Sequence, residues 1–226
     1  MEIVREKLTE ASLDIAARAL ARRDPDLAAV YETLGPPPLW ARRPGFPTLV
    51  HIILEQQVSL QSAASLFARV QANVAPFKPG RMLELGEPHL KSLGLTRQKT
   101  AYCLHLAQSI NDRTLKLRAL ERMSDDDVRA ALMEVKGVGS WSADVYLLMA
   151  LLRADIWPAS DLALAIGIAN LKKLPARPTS EELLDMAAAW RPYRSVAARM
   201  IWQFYLAQRE EARKGRGIKP MQNREQ

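Results

Sequence analysis

The chain has 226 residues, 48% hydrophobic and 25% charged, which is enough apolar content for one good core or for two small lobes sharing one. Its 32 Lys and Arg against 25 Asp and Glu leave a formal net charge of +7 and a pI near 9.7, a balance suited to a polyanion such as nucleic acid or to an anionic membrane surface. A lone Cys103 excludes an internal disulfide and a four-thiolate iron–sulfur cluster, and His51, His89 and His105 do not cluster as metal ligands, so a reduced, intracellular protein without a transition metal is expected. The start, MEIVREKLTE, carries no apolar signal segment, and the longest apolar run, VYLLMALL at 145–152, is too short to span a bilayer, so the expectation is a soluble chain with no membrane partner.

Nearly every segment has helical periodicity and none sustains strand-like alternation, so the fold class expected is all-α. Residues 9–34 predict one or two helices broken near Asp24-Pro25, and GPPPLWARRPGFP (35–47) predicts a stiff connection. Leu49, Ile52 and Ile53 begin an apolar helix that ends near Gln56-Gln57, and Leu60, Ala63, Ala64, Phe67, Val70 and Val74 mark the next. Short helices are expected within 79–92, and 94–110 predicts a longer one capped by Thr96. Ser124 followed by three aspartates is a strong helix start, since the hydroxyl caps open N–H groups and the acids suit the positive end of the dipole. That helix carries Val128, Ala131, Leu132 and Val135 on one face, and a second stripe of Trp141, Val145, Leu148, Met149 and Leu152 follows. The loop RADIWPASD leads to helices at about 162–172, 180–189 and 192–210, and the basic tail after Gln208 is expected to fray.

Between the two stripes lies VKGVGSWSAD (135–144), a tight joint with two glycines one residue apart. Such a joint brings unpaired backbone N–H groups to the start of the second helix, and the N–H groups of Gly137, Val138, Gly139 and Ser140, with Lys136 beside them, could hold a phosphate without reading a base. A plain helix–helix turn in which glycine stops the first helix accounts for the same residues. The joint does not match the dinucleotide-binding pattern, because residue 142 is Ser and no strand precedes it.

The joint VKGVGSWSADVYLLMAL followed by IWPASD resembles the helix-hairpin-helix and downstream aspartate loop of the base-excision DNA glycosylases. ILEQQVSLQSAA (53–64), LGLTRQKTAY (93–102) and WRPYRSVAARMIW (190–202) are similar to stretches of the DNA-3-methyladenine glycosylase II family, in the same order along the chain. Larger members of that family carry an additional N-terminal β-rich domain, and the resemblance here is to a compact member built from the helical core alone.

The resemblance implies two helical lobes with an active-site cleft between them. One spans 46–153 and ends with the hairpin at 135–141, and the other joins 1–45 with 154–226 and carries the aspartate loop. It implies a monofunctional enzyme that rotates an alkylated base out of duplex DNA and hydrolyses its bond to the sugar, working as a monomer in the cytoplasm of a prokaryote or the nucleus of a eukaryote. The hairpin would anchor the backbone, and Gln57, next to Gln56 in the QQVS turn, would fill the gap left by the flipped base. Solvated residues at a helix end are the commoner fate of such glutamines. Trp141 and Trp202 fall on family positions that line an aromatic pocket for an electron-poor base, and Val145 stands where some members carry an aromatic ring. Trp141 also continues the apolar stripe of its own helix. Asp161 matches the catalytic carboxylate, which would stabilise the oxocarbenium-like sugar, and its position also suits a helix cap. Asp155 and Asp144 are weaker candidates. The family further implies a monovalent cation (Na or K) held by the main-chain carbonyls of Met133, Val135 and Val138, and no other cofactor. Trp141 occupies the position at which related strand-nicking enzymes carry a lysine nucleophile, so no lyase activity is expected. Two other readings stand beside this one: a non-catalytic helix-hairpin-helix DNA-binding protein, and a glycosylase for deaminated, oxidised or mismatched bases.

Overall fold

In a computed structural model of the protein, residues 7–216 are described, and those residues form twelve helices with no strand among them. The chain divides into two units. Lys7 and Trp40–Pro158 belong to the first, and Leu8–Leu39 with Ala159 onward form the second. The divisions fall several residues from those expected. Residues 40–45 stay with the first unit because the Arg42 N–H donates to the Met149 carbonyl and its guanidinium meets Glu55 through two nitrogens, at 2.8 and 2.7 Å. Residues 153–158 stay there too, tied by Arg153, whose Nη2 donates to the Glu121 and Met123 carbonyls.

The second unit opens with α1 (Glu10–Ala21) and α2 (Pro25–Leu34), and the break expected at Asp24-Pro25 is a capped restart. Proline costs nothing at the first helical position, and Asp24 accepts the N–H groups of Asp26 and Leu27. The chain then enters the first unit with α3 (Phe46–Glu55), in which Leu49, Val50, Ile52, Ile53 and Leu54 are all buried. A helix apolar on every side belongs in the middle of a core. It packs against α4 (Leu60–Asn73), α6 (Arg97–Asn111) and α9 (Ser140–Met149), and its C-terminal end delivers Gln56 and Gln57. Between α4 and α6 lies α5 (Pro79–Ser92), two helical pieces joined across a kink where Gly86 has φ +67°. A four-residue helix, α7 (Leu117–Leu120), has no counterpart in the periodicity, because a single turn is too short to show one. Next comes α8 (Asp125–Met133), capped by Ser124 as its sequence implies.

The stripe expected to run through Leu152 stops early. The helix α9 ends at Met149, and Leu152 is in the left-handed region at φ +56°. The second unit resumes with α10 (Leu162–Leu171), α11 (Ser180–Ala188) and α12 (Arg194–Arg216). The long α12 packs against α1, α2 and α10, and Val196, Met200 and Ile201 are fully buried. The tail does not fray at Gln208, because the helix continues to Arg216, supported by a Glu210–Lys214 pair one turn apart. Lys219 and Arg224 lie outside the described residues. No described helix is long and apolar enough to cross a membrane.

Candidate functional site

In the first unit, α8 and α9 pack against each other across the joint 134–139. The Val138 N–H donates to the Val135 carbonyl at 2.9 Å, closing a four-residue turn with Gly137 at its third position, where φ is +94°. That conformation calls for glycine, and here space demands it as well: a Cβ on Gly137 would come within 2.1 Å of Cγ of Tyr102, which lies against the turn from α6. Gly139 differs. Its backbone is extended, and a Cβ there would meet no atom within 4 Å. A glycine that neither conformation nor packing requires leaves its backbone bare toward the outside.

Gly139 is the N-cap of α9 and supplies no side-chain cap. Among the described residues no acceptor meets the N–H groups of Gly139 and Ser140, which are exposed at the positive end of the helix. The anion-binding potential expected of residues 137–140 is therefore narrower, since the Val138 N–H is used within the turn and Val138 is buried. Lys136 is exposed beside them, and its backbone N–H donates to Nδ1 of His105 at 3.2 Å. Of the carbonyls named for a monovalent cation, that of Val135 already accepts the Val138 N–H, which leaves its second lone pair for an ion. Main-chain carbonyl oxygens are the neutral donors such a cation takes, so the chemistry of the named set is compatible with one.

The two glutamines separate. Gln56 is drawn inward: its Nε2 donates to the Gly137 carbonyl at 2.8 Å and to Ser142 Oγ at 2.9 Å, so it clamps the hairpin to the end of α3. Gln57 is exposed and left-handed, at φ +58°, a conformation that costs a residue with a side chain roughly 1–2 kcal/mol. On α9, Trp141 is half-buried, whereas Val145 is only 2% exposed and is part of the core. The structure therefore does not bring Val145 to an open surface. Asp144 is committed to Arg129 Nε at 2.8 Å and ties α9 to α8.

In the second unit, Asp161 is the N-cap of α10 and is 8% exposed. Its Oδ1 accepts the Leu164 N–H at 2.8 Å and the indole N–H of Trp202, from α12, at 3.1 Å. The cap and the carboxylate expected at this position are one group. Trp202 is 7% exposed, and its ring is placed to hold that carboxylate by a bond the sequence did not suggest. The close approach of α10 to α12 depends on Gly167, where a Cβ would come within 2.7 Å of Ile201 Cγ2. Three participants were missed in the sequence: Tyr102 beneath Gly137, the Gln56 clamp and the Trp202–Asp161 bond. Each joins residues dozens of positions apart, and no local spacing signals such pairs.

Comparison with known proteins gives these positions a setting. Residues 50–192 match the model of the HhH-GPD superfamily, described as base excision DNA repair proteins. DNA-3-methyladenine glycosylase 1 of Schizosaccharomyces pombe is 25% identical over 162 residues, 70% of this chain and 71% of the relative. DNA-3-methyladenine glycosylase 2 of Escherichia coli is 28% identical over 187 residues, 73% of this chain and 62% of the relative. The chain spans about two thirds of the length of such curated relatives. Among solved structures, a DNA-3-methyladenine glycosidase from Bacillus halodurans superposes with a TM-score of 0.73 at 26% identity, covering 91% of this chain and 95% of that one. The S. pombe 3-methyladenine DNA glycosylase Mag1 in complex with abasic DNA shares the fold, with a TM-score of 0.79 at 22% identity over 84% of this chain and 95% of that one.

Proposed function

This chain belongs to the HhH-GPD superfamily of base excision DNA repair proteins, and we propose that it is a monofunctional DNA glycosylase that excises alkylated bases from duplex DNA. The observation that carries the proposal is Asp161: a carboxylate 8% exposed, placed at a helix start and held by two N–H donors on one oxygen. Breaking the bond between base and sugar builds positive charge on the sugar, and a fixed carboxylate stabilises that charge without reorganising during the reaction. Trp202 and Leu164 fix the oxygen, and the carboxylate can also orient the attacking water. A purine alkylated at N3 or N7 is already cationic and leaves readily.

The hairpin performs the other half of the task. A target base inside a stacked duplex is out of reach and must be rotated out, which requires a firm hold on the backbone that does not depend on sequence. The open N–H groups of Gly139 and Ser140 supply that hold, with Lys136 adding positive charge and Gln57 filling the vacated stack. A monovalent cation on the carbonyls of Met133, Val135 and Val138 would add positive charge behind the phosphate. The half-buried Trp141 offers a stacking surface that favours an electron-deficient base. Trp141 offers no amine, so the product is an abasic site in an intact strand.

The test is base release from a panel of duplexes, each carrying one lesion, alkylated, deaminated, oxidised or mismatched. Release of 3-methyladenine or 7-methylguanine with the strand left intact until alkali is added is the expected result. Release confined to deaminated or mismatched bases moves the substrate class. Binding without release from any duplex returns the chain to a non-catalytic hairpin protein.

A further inference from the structure

A recess of about 380 Å³ opens beside the hairpin, walled by Gly139 on one side, Gln57 on another and α6 on the third, through Gln98, Lys99 and Tyr102. Among the described residues no carboxylate lines it, and Lys99 adds a positive charge to its wall. Its polar groups include three glutamine amides, an ammonium and a phenol, and Gly139, the N-cap of α9, is part of its wall.

The phenol is set up in a specific way. Tyr102 lies with its ring against Gly137, and its hydroxyl accepts a hydrogen bond from Gln98 Nε2 at 2.7 Å. A hydroxyl that accepts from its neighbour keeps its own proton for another partner. Gln98 thus turns Tyr102 into a donor, and the half-buried residue lines the recess. Lys99 is occupied differently, since its Nζ donates to the Leu54 carbonyl at 2.7 Å, which places its charge low in the wall.

We propose that this recess seats a stretch of the sugar–phosphate backbone next to the phosphate held by Gly139 and Ser140, with the Tyr102 hydroxyl donating to a phosphodiester oxygen and Gln98 orienting that hydroxyl. The proposal rests on the reading that the hairpin grips duplex DNA. It adds a contact from α6 to a grip otherwise made by the hairpin alone, and makes Tyr102 both the support of the turn and a ligand to the same backbone.

Tyr102→Phe separates these two roles, because it keeps the ring under Gly137 and removes only the donor. The measurement is equilibrium binding to an undamaged duplex and to one containing an abasic-site analogue, over a series of salt concentrations, with thermal melting to show that the variant is folded. Loss of a hydrogen bond to a charged oxygen predicts about tenfold weaker binding. The loss is expected to be equal for both duplexes, since a phosphate contact carries no lesion information. The slope of affinity against salt stays as in the wild type, because a neutral hydroxyl releases no counterion. Gln98→Leu, which frees the hydroxyl to rotate, is expected to weaken binding by a smaller factor. Unchanged affinity in a folded Tyr102→Phe overturns the proposal while leaving the hairpin grip intact. A loss confined to the abasic duplex overturns it too, by placing Tyr102 at the lesion. Failure of the wild-type protein to bind either duplex overturns both this contact and the reading beneath it.

Discussion

Two helices of this molecule begin in opposite ways. At α9 the capping position is Gly139, which has no side chain to offer, and the N–H groups of Gly139 and Ser140 meet no acceptor among the described residues. At α10 the same position is Asp161, which folds back on its own helix and takes the Leu164 N–H. Both starts carry the same partial positive charge, because that charge belongs to the backbone. An open start must find its anion elsewhere, and a phosphate suits it. A closed start brings its own anion, and the molecule has placed that carboxylate where a second donor, Trp202, holds it still. One structural device, a helix start, is thus left open in one place and closed by a carboxylate in the other. The proposed function assigns the first to a phosphate and the second to a cationic sugar.

The strongest test removes the charge from the closed start while keeping its cap. Asparagine caps as well as aspartate, so Asp161→Asn is expected to keep its melting temperature and its affinity for duplex DNA. Its single-turnover rate of base excision should fall on the order of 10²–10³-fold, the cost of removing one electrostatic stabiliser of a transition state. Excision at close to the wild-type rate would reduce Asp161 to a cap like the others.

Next in size is a test of the turn that presents the open start. Gly137→Ala drives a methyl group against the Tyr102 ring and puts a side chain at φ +94°, which together should cost roughly 2–4 kcal/mol of stability in denaturant unfolding. A variant as stable as the wild type would show that Tyr102 can withdraw without loss.

A smaller effect is expected on the second support of the carboxylate. Trp202→Phe keeps an aromatic surface and removes the indole N–H, so excision should slow roughly tenfold, as for a lost hydrogen bond to a charged group, while duplex affinity holds. Loss of affinity with an unchanged excision rate would make Trp202 a DNA contact and leave Leu164 as the donor that matters.

The smallest change sharpens the comparison most. Gly139→Ala meets no atom of the protein and needs no unusual backbone, so its stability should stay within about 0.5 kcal/mol of the wild type. Binding should nonetheless weaken several-fold, roughly 1 kcal/mol, for damaged and undamaged duplexes alike, because the methyl group intrudes only on a ligand. Unchanged binding would return the joint to a plain helix–helix turn.

How far the sequence reaches differs between these regions. The all-α class, the restart at Asp24-Pro25, the Ser124 cap and the position of the hairpin follow from patterns a few residues long: apolar periodicity, a capping side chain followed by acids, two glycines one residue apart. Asp161 as the cap of α10 was legible for the same reason. The roles of the individual groups were not. Gly137 and Gly139 look alike in sequence, and only the Tyr102 ring against one and open space beside the other distinguish a glycine required by packing from one that leaves the backbone bare. Gln56 and Gln57 are identical neighbours, yet one is spent on the Gly137 carbonyl and Ser142 while the other is exposed. Val145 sits at a position expected to line a pocket and is instead enclosed. Local sequence determines what a short stretch of backbone can do, because capping and periodicity act over three or four residues. Which side chain meets which, across 35 residues from Tyr102 to Gly137 or 41 from Asp161 to Trp202, was decided by the packing of helices that no short pattern encodes.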